Sequence, residues 1–325
     1  MRRLWWLLVW LLAWSVSPVR VVQAEGAGFT VTPVLPKNQL GGDTGWFNLL
    51  VKPGQTQELP VIVANQSAKP KRLHLTLTNA YTQANGQVGY APHAQVAEPK
   101  EPTLTAIGSK PLDVTLAAHT GRQVTFRVTP PATSFAGQML GAIYVQDRTA
   151  NKAQTGSGFA IANQFAMVVA VQLQESTQLV APALRLASVS PNASGVVARL
   201  QNTKARLFGK MTLTTKIVAK ATKVTVLTQR DTNYQMAPKT AFDYQLRTTK
   251  ALPAGDYTVQ IVATAGKYRW ELTRALRLSA QAAAKLAPPT TKAQAVNGWW
   301  LGLIGLLGLL LLGVWLKRRR RKGRE

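Results

Sequence analysis

Between Leu73 and Asn79 the chain alternates Leu73, Leu75 and Leu77 with His74, Thr76 and Thr78. A strict period of two buries one face of a strand and leaves the other wet, and it cannot be satisfied by a helix. The same pattern recurs along most of the chain. In the first half it predicts strands at Phe29 to Val34, Trp46 to Val51, Leu59 to Ala64, Leu73 to Asn79, Leu112 to Leu116, Val124 to Val128 and Met139 to Gln146. In the second half it predicts them at Ile161 to Leu173, Leu184 to Val189, Val196 to Leu200, Met211 to Ile217, Val224 to Thr228, Phe242 to Leu246, Tyr257 to Ala263 and Trp270 to Leu278. Turn residues punctuate these runs, as in Lys52-Pro53-Gly54, Asn85-Gly86, His119-Thr120-Gly121 and Pro130-Pro131. Short strands separated by such turns predict an all-β fold of two tandem immunoglobulin-like β-sandwiches. The expected boundaries are 25–150 and 151–284, with a polar junction at Asn151 to Gly158 and one short helix at Ser279 to Lys285. No internal sequence repeat is evident.

The two ends read as membrane signals. Arg2 and Arg3 precede an apolar run from Leu4 to Val16, and Val22-Gln23-Ala24 offers a small-residue cleavage site, so 1–24 is expected to be a signal peptide. Trp299 to Leu316 carries no charge, and as a helix it would be roughly 27 Å long, close to the thickness of a bilayer core. Trp299, Trp300 and Trp315 flank it, and the tail 317–325 holds Lys317, Arg318, Arg319, Arg320, Arg321, Lys322 and Arg324. The positive-inside rule places that tail in the cytoplasm. The chain is therefore expected at the cell membrane as a single-pass type I protein, both β-domains outside, with 285–298 as a proline-containing stalk. The anchor is expected to be retained, since Leu286-Ala287-Pro288-Pro289-Thr290-Thr291 lacks the Leu-Pro-x-Thr-Gly of a sortase substrate.

Charge divides unevenly. With 39 Lys and Arg against 13 Asp and Glu the net charge is +26. Without the ten cations at the two ends and Glu325, 29 bases and 12 acids remain in the exported part. Residues 29–157 hold 11 bases and 6 acids, whereas 158–284 hold 16 and 5. A basic stripe at Lys204, Arg206 and Lys210, continued by Lys216, Lys220 and Lys223, is a candidate surface for acidic partners or for an anionic wall. Nucleic acid is not expected as a partner, because the domain is expected outside the cell.

Little in the composition suits catalysis. The absence of Cys excludes disulfides, thiolate metal sites and a Cys nucleophile, and only three His remain. His74, His93 and His119 stand at no ligand spacing from one another or from a carboxylate, and Glu98 and Glu101 read as a solvated loop. No nucleophile elbow, phosphate loop or dinucleotide fingerprint occurs. The expectation is a non-enzyme without metal or cofactor. Recognition is better supplied, since Asn38, Gln39, Trp46, Asn79, Tyr81, Asn85 and Tyr90 combine aromatic faces with amides. Rings can stack on sugars and amides can hydrogen-bond to them. Equally, one of Trp46 and Phe47 should be core, and Asn85-Gly86 is a favoured hairpin turn in any β-protein.

Phe29 to Gln39, Trp46 to Gln55 and Asn79 to Gly86 together resemble segments of the WxL-interacting proteins of Gram-positive bacteria. Phe29-Thr30-Val31-Thr32-Pro33-Val34-Leu35-Pro36-Lys37-Asn38-Gln39 is similar to that family's opening segment. Trp46-Phe47-Asn48-Leu49-Leu50-Val51-Lys52-Pro53-Gly54-Gln55 is similar to the strand and turn that follow. Asn79-Ala80-Tyr81-Thr82-Gln83-Ala84-Asn85-Gly86 is similar to its Asn-Ala-x-Thr-Asn-x-Asn-Gly segment, with Gln83 in place of the usual Asn. The resemblance returns at Met139 to Gln146. It implies a peptidoglycan-binding first domain, a second domain directed at host proteins such as those of the matrix, and complexes with WxL-domain proteins. Trp270-Glu271-Leu272 spells the WxL letters inside an alternating strand, and the chain is not read as a WxL protein itself. The expected function is a membrane-anchored adaptor between wall and surface partners. The alternative is a surface adhesin or chaperone-like sandwich without wall binding.

Overall fold

A computed structural model of the chain describes residues 26–92, 102–149, 164–192, 194–248 and 252–285. The expected signal peptide, most of the stalk, the membrane span and the basic tail lie outside the described residues, as do His93, Glu98, Glu101 and the junction at Asn151 to Gly158. Among the described residues no helix is long and apolar enough to cross a membrane. The fold is all-β, as the alternation predicts.

The first unit opens with β1 (Phe29–Pro33), β2 (Phe47–Leu50), β3 (Gln57–Asn65) and β4 (Lys71–Asn79). A two-rung hairpin of β5 (Tyr81–Thr82) and β6 (Val88–Gly89) follows. It continues with β7 (Leu112–Leu116), β8 (Gly121–Val128), β9 (Gln138–Asp147) and β10 (Ala166–Gln174). A three-stranded sheet, β1-β3-β8, faces a five-stranded sheet, β2-β10-β9-β4-β7. Both direct their apolar residues into one core, where Phe29, Leu59 and Phe126 meet Phe47, Leu73, Leu75 and Ile143. Each such side chain contributes about 1.5–3 kcal/mol relative to exposure.

In the structure β10 lies beyond the expected boundary at 150/151, yet it completes the sheet of the first unit. The sequence pattern places the run at Ile161 to Leu173 in the second sandwich, but β10 pairs antiparallel with β9 and parallel with β2. Val169, Val171 and Leu173 belong to the first core. Without β10, the edge strand β2 would have no partner in its sheet, so the break between the units falls after Gln174.

The second unit holds β11 (Leu184–Asn192), β12 (Gly195–Asn202), β13 (Phe208–Ala219), β14 (Thr225–Met236), β15 (Ala241–Arg247), β16 (Gly255–Ala265) and β17 (Tyr268–Leu278). The sheets run β11-β12-β15 and β14-β13-β16-β17, and they share a second core around Leu200, Leu213, Tyr244 and Ile261. Tyr244 is buried because its hydroxyl finds Asp231 Oδ2 at 2.5 Å. Burial, then the hydrogen bond to Asp231 and the Asp231 charge, raises its pKa well above the ordinary tyrosine value. A short helix, α1 (Ala280–Lys285), starts where the sequence predicts, capped by Ser279 Oγ accepting from Ala282 N at 3.1 Å.

Candidate functional site

The two units meet at the segment the sequence offers as a ligand site. At the end of β4, Asn79 turns its amide onto a neighbouring loop. Its Nδ2 donates to Thr105 Oγ1 at 2.8 Å and its Oδ1 accepts from Thr105 N at 3.1 Å. Ala80 N then bonds Leu140 O, and the chain enters the β5–β6 hairpin. Tyr81 lies against Gly89, where an added Cβ would stand 2.7 Å from the ring carbon Cζ. Asn85 closes the turn by accepting from Gln87 N at 3.1 Å. Gly86 follows in the left-handed region, φ 74°.

That hairpin is a clasp on the second unit. Thr82 Oγ1 is 2.6 Å from Thr240 Oγ1 and accepts from Ala237 N at 3.0 Å. Gln235 N donates to Gly86 O at 2.7 Å, and Gln87 Nε2 donates to Asn233 O at 3.0 Å. The Tyr234 ring covers Gly86 so closely that a Cβ there would fall 1.8 Å from Cδ1. Ala80, Leu140 and Ala237 form a small core of their own, with Val88, Tyr90 and Leu207 packed on it. Burial pushes the Tyr90 hydroxyl up to about 12. A second seam lies alongside, where Gln138 N donates to Ala205 O at 2.7 Å and Gln138 Oε1 accepts from Leu207 N at 2.8 Å. Gly137 permits that approach, since a Cβ there would lie 2.1 Å from Ala205 O.

The other expected ligand residues sit apart from this group. Asn38 and Gln39 belong to the loop before β2. Asn38 Nδ2 donates to Leu50 O and Gln57 Oε1, both at 2.8 Å. Gln39 Nε2 donates to Trp46 O at 3.0 Å, and its Oε1 accepts from Asn48 N at 3.0 Å. Trp46 is half-buried beside Phe47, which is core. Strands β10 and β9 separate β2 from β4 in the sheet. The seven residues therefore form two groups. Both groups engage their amides with backbone and side chains of the first unit itself.

The basic stripe also divides. Lys204 is exposed at the seam between the units. Arg206 is half-buried, with its Nη1 out of water and without a partner among the described residues. Lys210 is exposed at an irregular point of β13, φ 52°. Lys216 stands further along β13, while Lys220 and Lys223 occupy the turn before β14. β13 has 12 residues, so the stripe extends over about 36 Å and forms no single patch. Trp270 of the Trp-Glu-Leu triplet packs on Phe208, centroids 5.5 Å apart, and stacks on Tyr268 at 6.0 Å.

One pairing escapes the spacing argument. Strands β4 and β7 bring His74 and Asp113 into register, with Nδ1 2.8 Å from Oδ1. That hydrogen bond holds the Asp113 carboxyl below its usual value. Among the described residues no three His, Asp or Glu side chains are grouped as a metal would need.

Between clasp and seam lies a cleft of about 390 Å³, lined by both units. Leu104, Phe135, Met139 and Leu140 supply apolar wall, Asn79 and Gln138 stand at its polar side, and Lys204 and Lys239 come from the second unit. No Asp or Glu lines it. An adjoining depression of about 340 Å³ lies on the other side of Asn79, over Thr76, Thr78 and Ser109.

The architecture defines an all-β protein of two docked units with a cleft at their junction. Residues 29–147 match the model of the WxL Interacting Protein peptidoglycan binding domain, and residues 156–288 match that of the WxL Interacting Protein host binding domain. The chain belongs to the WxL-interacting protein family. No curated protein sequence matches it. Among solved structures it is similar to the CupB2 chaperone of Pseudomonas aeruginosa, at 9% identity over 68% of this chain and 93% of that one, TM-score 0.28. A chaperone–tip adhesion subunit pre-assembly complex from Csu pili of Acinetobacter baumannii matches at 9% identity over 67% and 90%, TM-score 0.31. A PapD-like domain of human CEP192 matches at 13% over 50% and 95%, TM-score 0.29. At such TM-scores these likenesses carry no argument about this chain.

Proposed function

We propose that the protein is a non-enzymatic cell-surface adaptor whose first domain binds peptidoglycan and whose second domain engages host proteins, with WxL-domain proteins as further partners. The observation that carries this reading is the family match, which extends in order across both units. In this reading the units are two tandem immunoglobulin-like sandwiches. The signal peptide 1–24 and the span 299–316 export the chain and hold it in the membrane with both domains facing the wall. The clasp gives the pair a fixed geometry, which suits an adaptor that must present one domain outward while the other holds the wall. The supporting chemistry is a basic exported part, with 29 bases against 12 acids. Co-sedimentation with insoluble peptidoglycan, coupled to an assay for released soluble fragments, tests this function. Retention on the pellet without release is expected. Release of fragments would point to an enzyme.

A further inference from the structure

The junction cleft has a specific chemical bias. Its amides are largely engaged: both polar atoms of Asn79 bond Thr105, and Gln138 Oε1 holds Leu207 N. Phe135 is its one aromatic residue. A sugar needs stacking ring faces and several free amides or carboxylates, and this cleft offers a single ring and no carboxylate. It offers instead an apolar wall of Leu104, Phe135, Met139 and Leu140, the small residues Ala136 and Ala205, and two lysines, Lys204 and Lys239. Lys204 is exposed, and its ammonium has no ion-pair partner among the described residues. At about 390 Å³ the cleft falls within the range of small-ligand sites, roughly 300–1,000 Å³.

We propose that this cleft binds a short peptide of small apolar residues ending in a free carboxylate, of the D-configured kind that bacterial wall stems expose, with Lys204 receiving the carboxylate. The proposal rests on the wall-binding reading and deepens it. An apolar wall beside small side chains accommodates alanine-sized groups, and an uncontested ammonium at the rim favours an anion over a neutral end. Because both units line the cleft, occupancy also favours their docked arrangement by mass action.

The test titrates the full-length protein in detergent by calorimetry with N-acetyl-D-alanyl-D-alanine, with its C-terminal amide, and with the L,L isomer. The acid is expected to bind at least about tenfold more tightly than the amide, the scale of one charge-assisted hydrogen bond. The D,D acid is expected to bind more tightly than the L,L acid. Lys204→Gln should bring the acid down to the amide's affinity and Lys204→Arg should largely restore it. Ala136→Phe, at an exposed lining position, should abolish binding of every probe while the thermal unfolding midpoint stays unchanged. Equal affinity for acid and amide, or an undiminished Lys204→Gln variant, would overturn the carboxylate assignment. Preference for the L,L acid would overturn the wall source and indicate a protein terminus. Sedimentation with the wall but no binding of any probe would reject the cleft while leaving the wall reading intact. Failure of both would reject the two together.

Discussion

Thr82 Oγ1 and Thr240 Oγ1, 158 residues apart in the chain, are in buried contact at 2.6 Å and join the two units. Thr82 also accepts from the buried Ala237 N–H. Thr82→Val keeps the shape and removes the hydroxyl, leaving the buried Ala237 N–H without its acceptor at a cost of about 1–3 kcal/mol, while the Thr240 hydroxyl still donates to Ala237 O. The variant should shift the urea midpoint downward. An unchanged midpoint would show that the clasp adds nothing to stability.

Gly86 makes a sharper case. Its φ of 74° already disfavours a side chain, and the Tyr234 ring occupies the space a Cβ would need. Gly86→Ala should displace Tyr234 and loosen the bond from Gln235 N to Gly86 O. Hydrogen exchange at the Gln235 amide is expected to accelerate, while amides in the core of β3 keep their protection. Unaltered exchange at Gln235 would mean that the ring moves aside at no cost.

The allocation of β10 gives a prediction about fragments. A chain ending at Ala150 lacks the strand that lies between β2 and β9, so the five-stranded sheet loses Val169, Val171 and Leu173 from its core. It should unfold without cooperativity. A fragment extended to Thr177 should show a single sigmoidal urea transition. The same transition in both fragments would contradict the assignment of β10.

Asp147 supplies a dependence on pH. Burial pushes its carboxyl up, but hydrogen bonds from Lys71 and Thr149 outweigh that and leave its pKa below the ordinary 3.8. A lowered folded-state pKa means stability that is present above the unfolded value and is lost as pH falls through the folded one. Between neutral pH and about 4 the pair should therefore contribute fully, and below 3.8 its contribution should decline. Asp147→Asn is expected to be less stable than the wild type at neutral pH, with the gap narrowing in urea titrations as pH drops below that value. A gap that stays constant to the lowest pH would rule out the ion pair as its source.

Much of this fold is visible in the local pattern, and what is not visible is non-local. Strand β7 (Leu112–Leu116) falls where the alternation puts it, because one buried face suffices to set the period. The partner of a strand has no such local signature. The residues of β10 announce burial, yet nothing in them distinguishes a place beside β9 from a place in the next sheet. Asn85-Gly86 likewise encodes its own turn, but the ring that covers it comes from Tyr234, far along the chain. His74 and Asp113 become neighbours only through the register of β4 and β7. The basic residues from Lys204 to Lys223 look like one stripe when written in a line. A seam, an irregular point in a strand and a turn place them in different environments.

A protein that holds the bacterial wall without cutting it, as proposed, is tested most directly by sedimentation of the full-length chain with purified insoluble peptidoglycan at two salt concentrations. The account predicts that the protein moves to the pellet at physiological salt, remains there in part when salt is raised because apolar contacts persist after charge is screened, and releases no soluble fragments. Protein left in the supernatant at both salts, or peptidoglycan fragments appearing in it, would contradict the account.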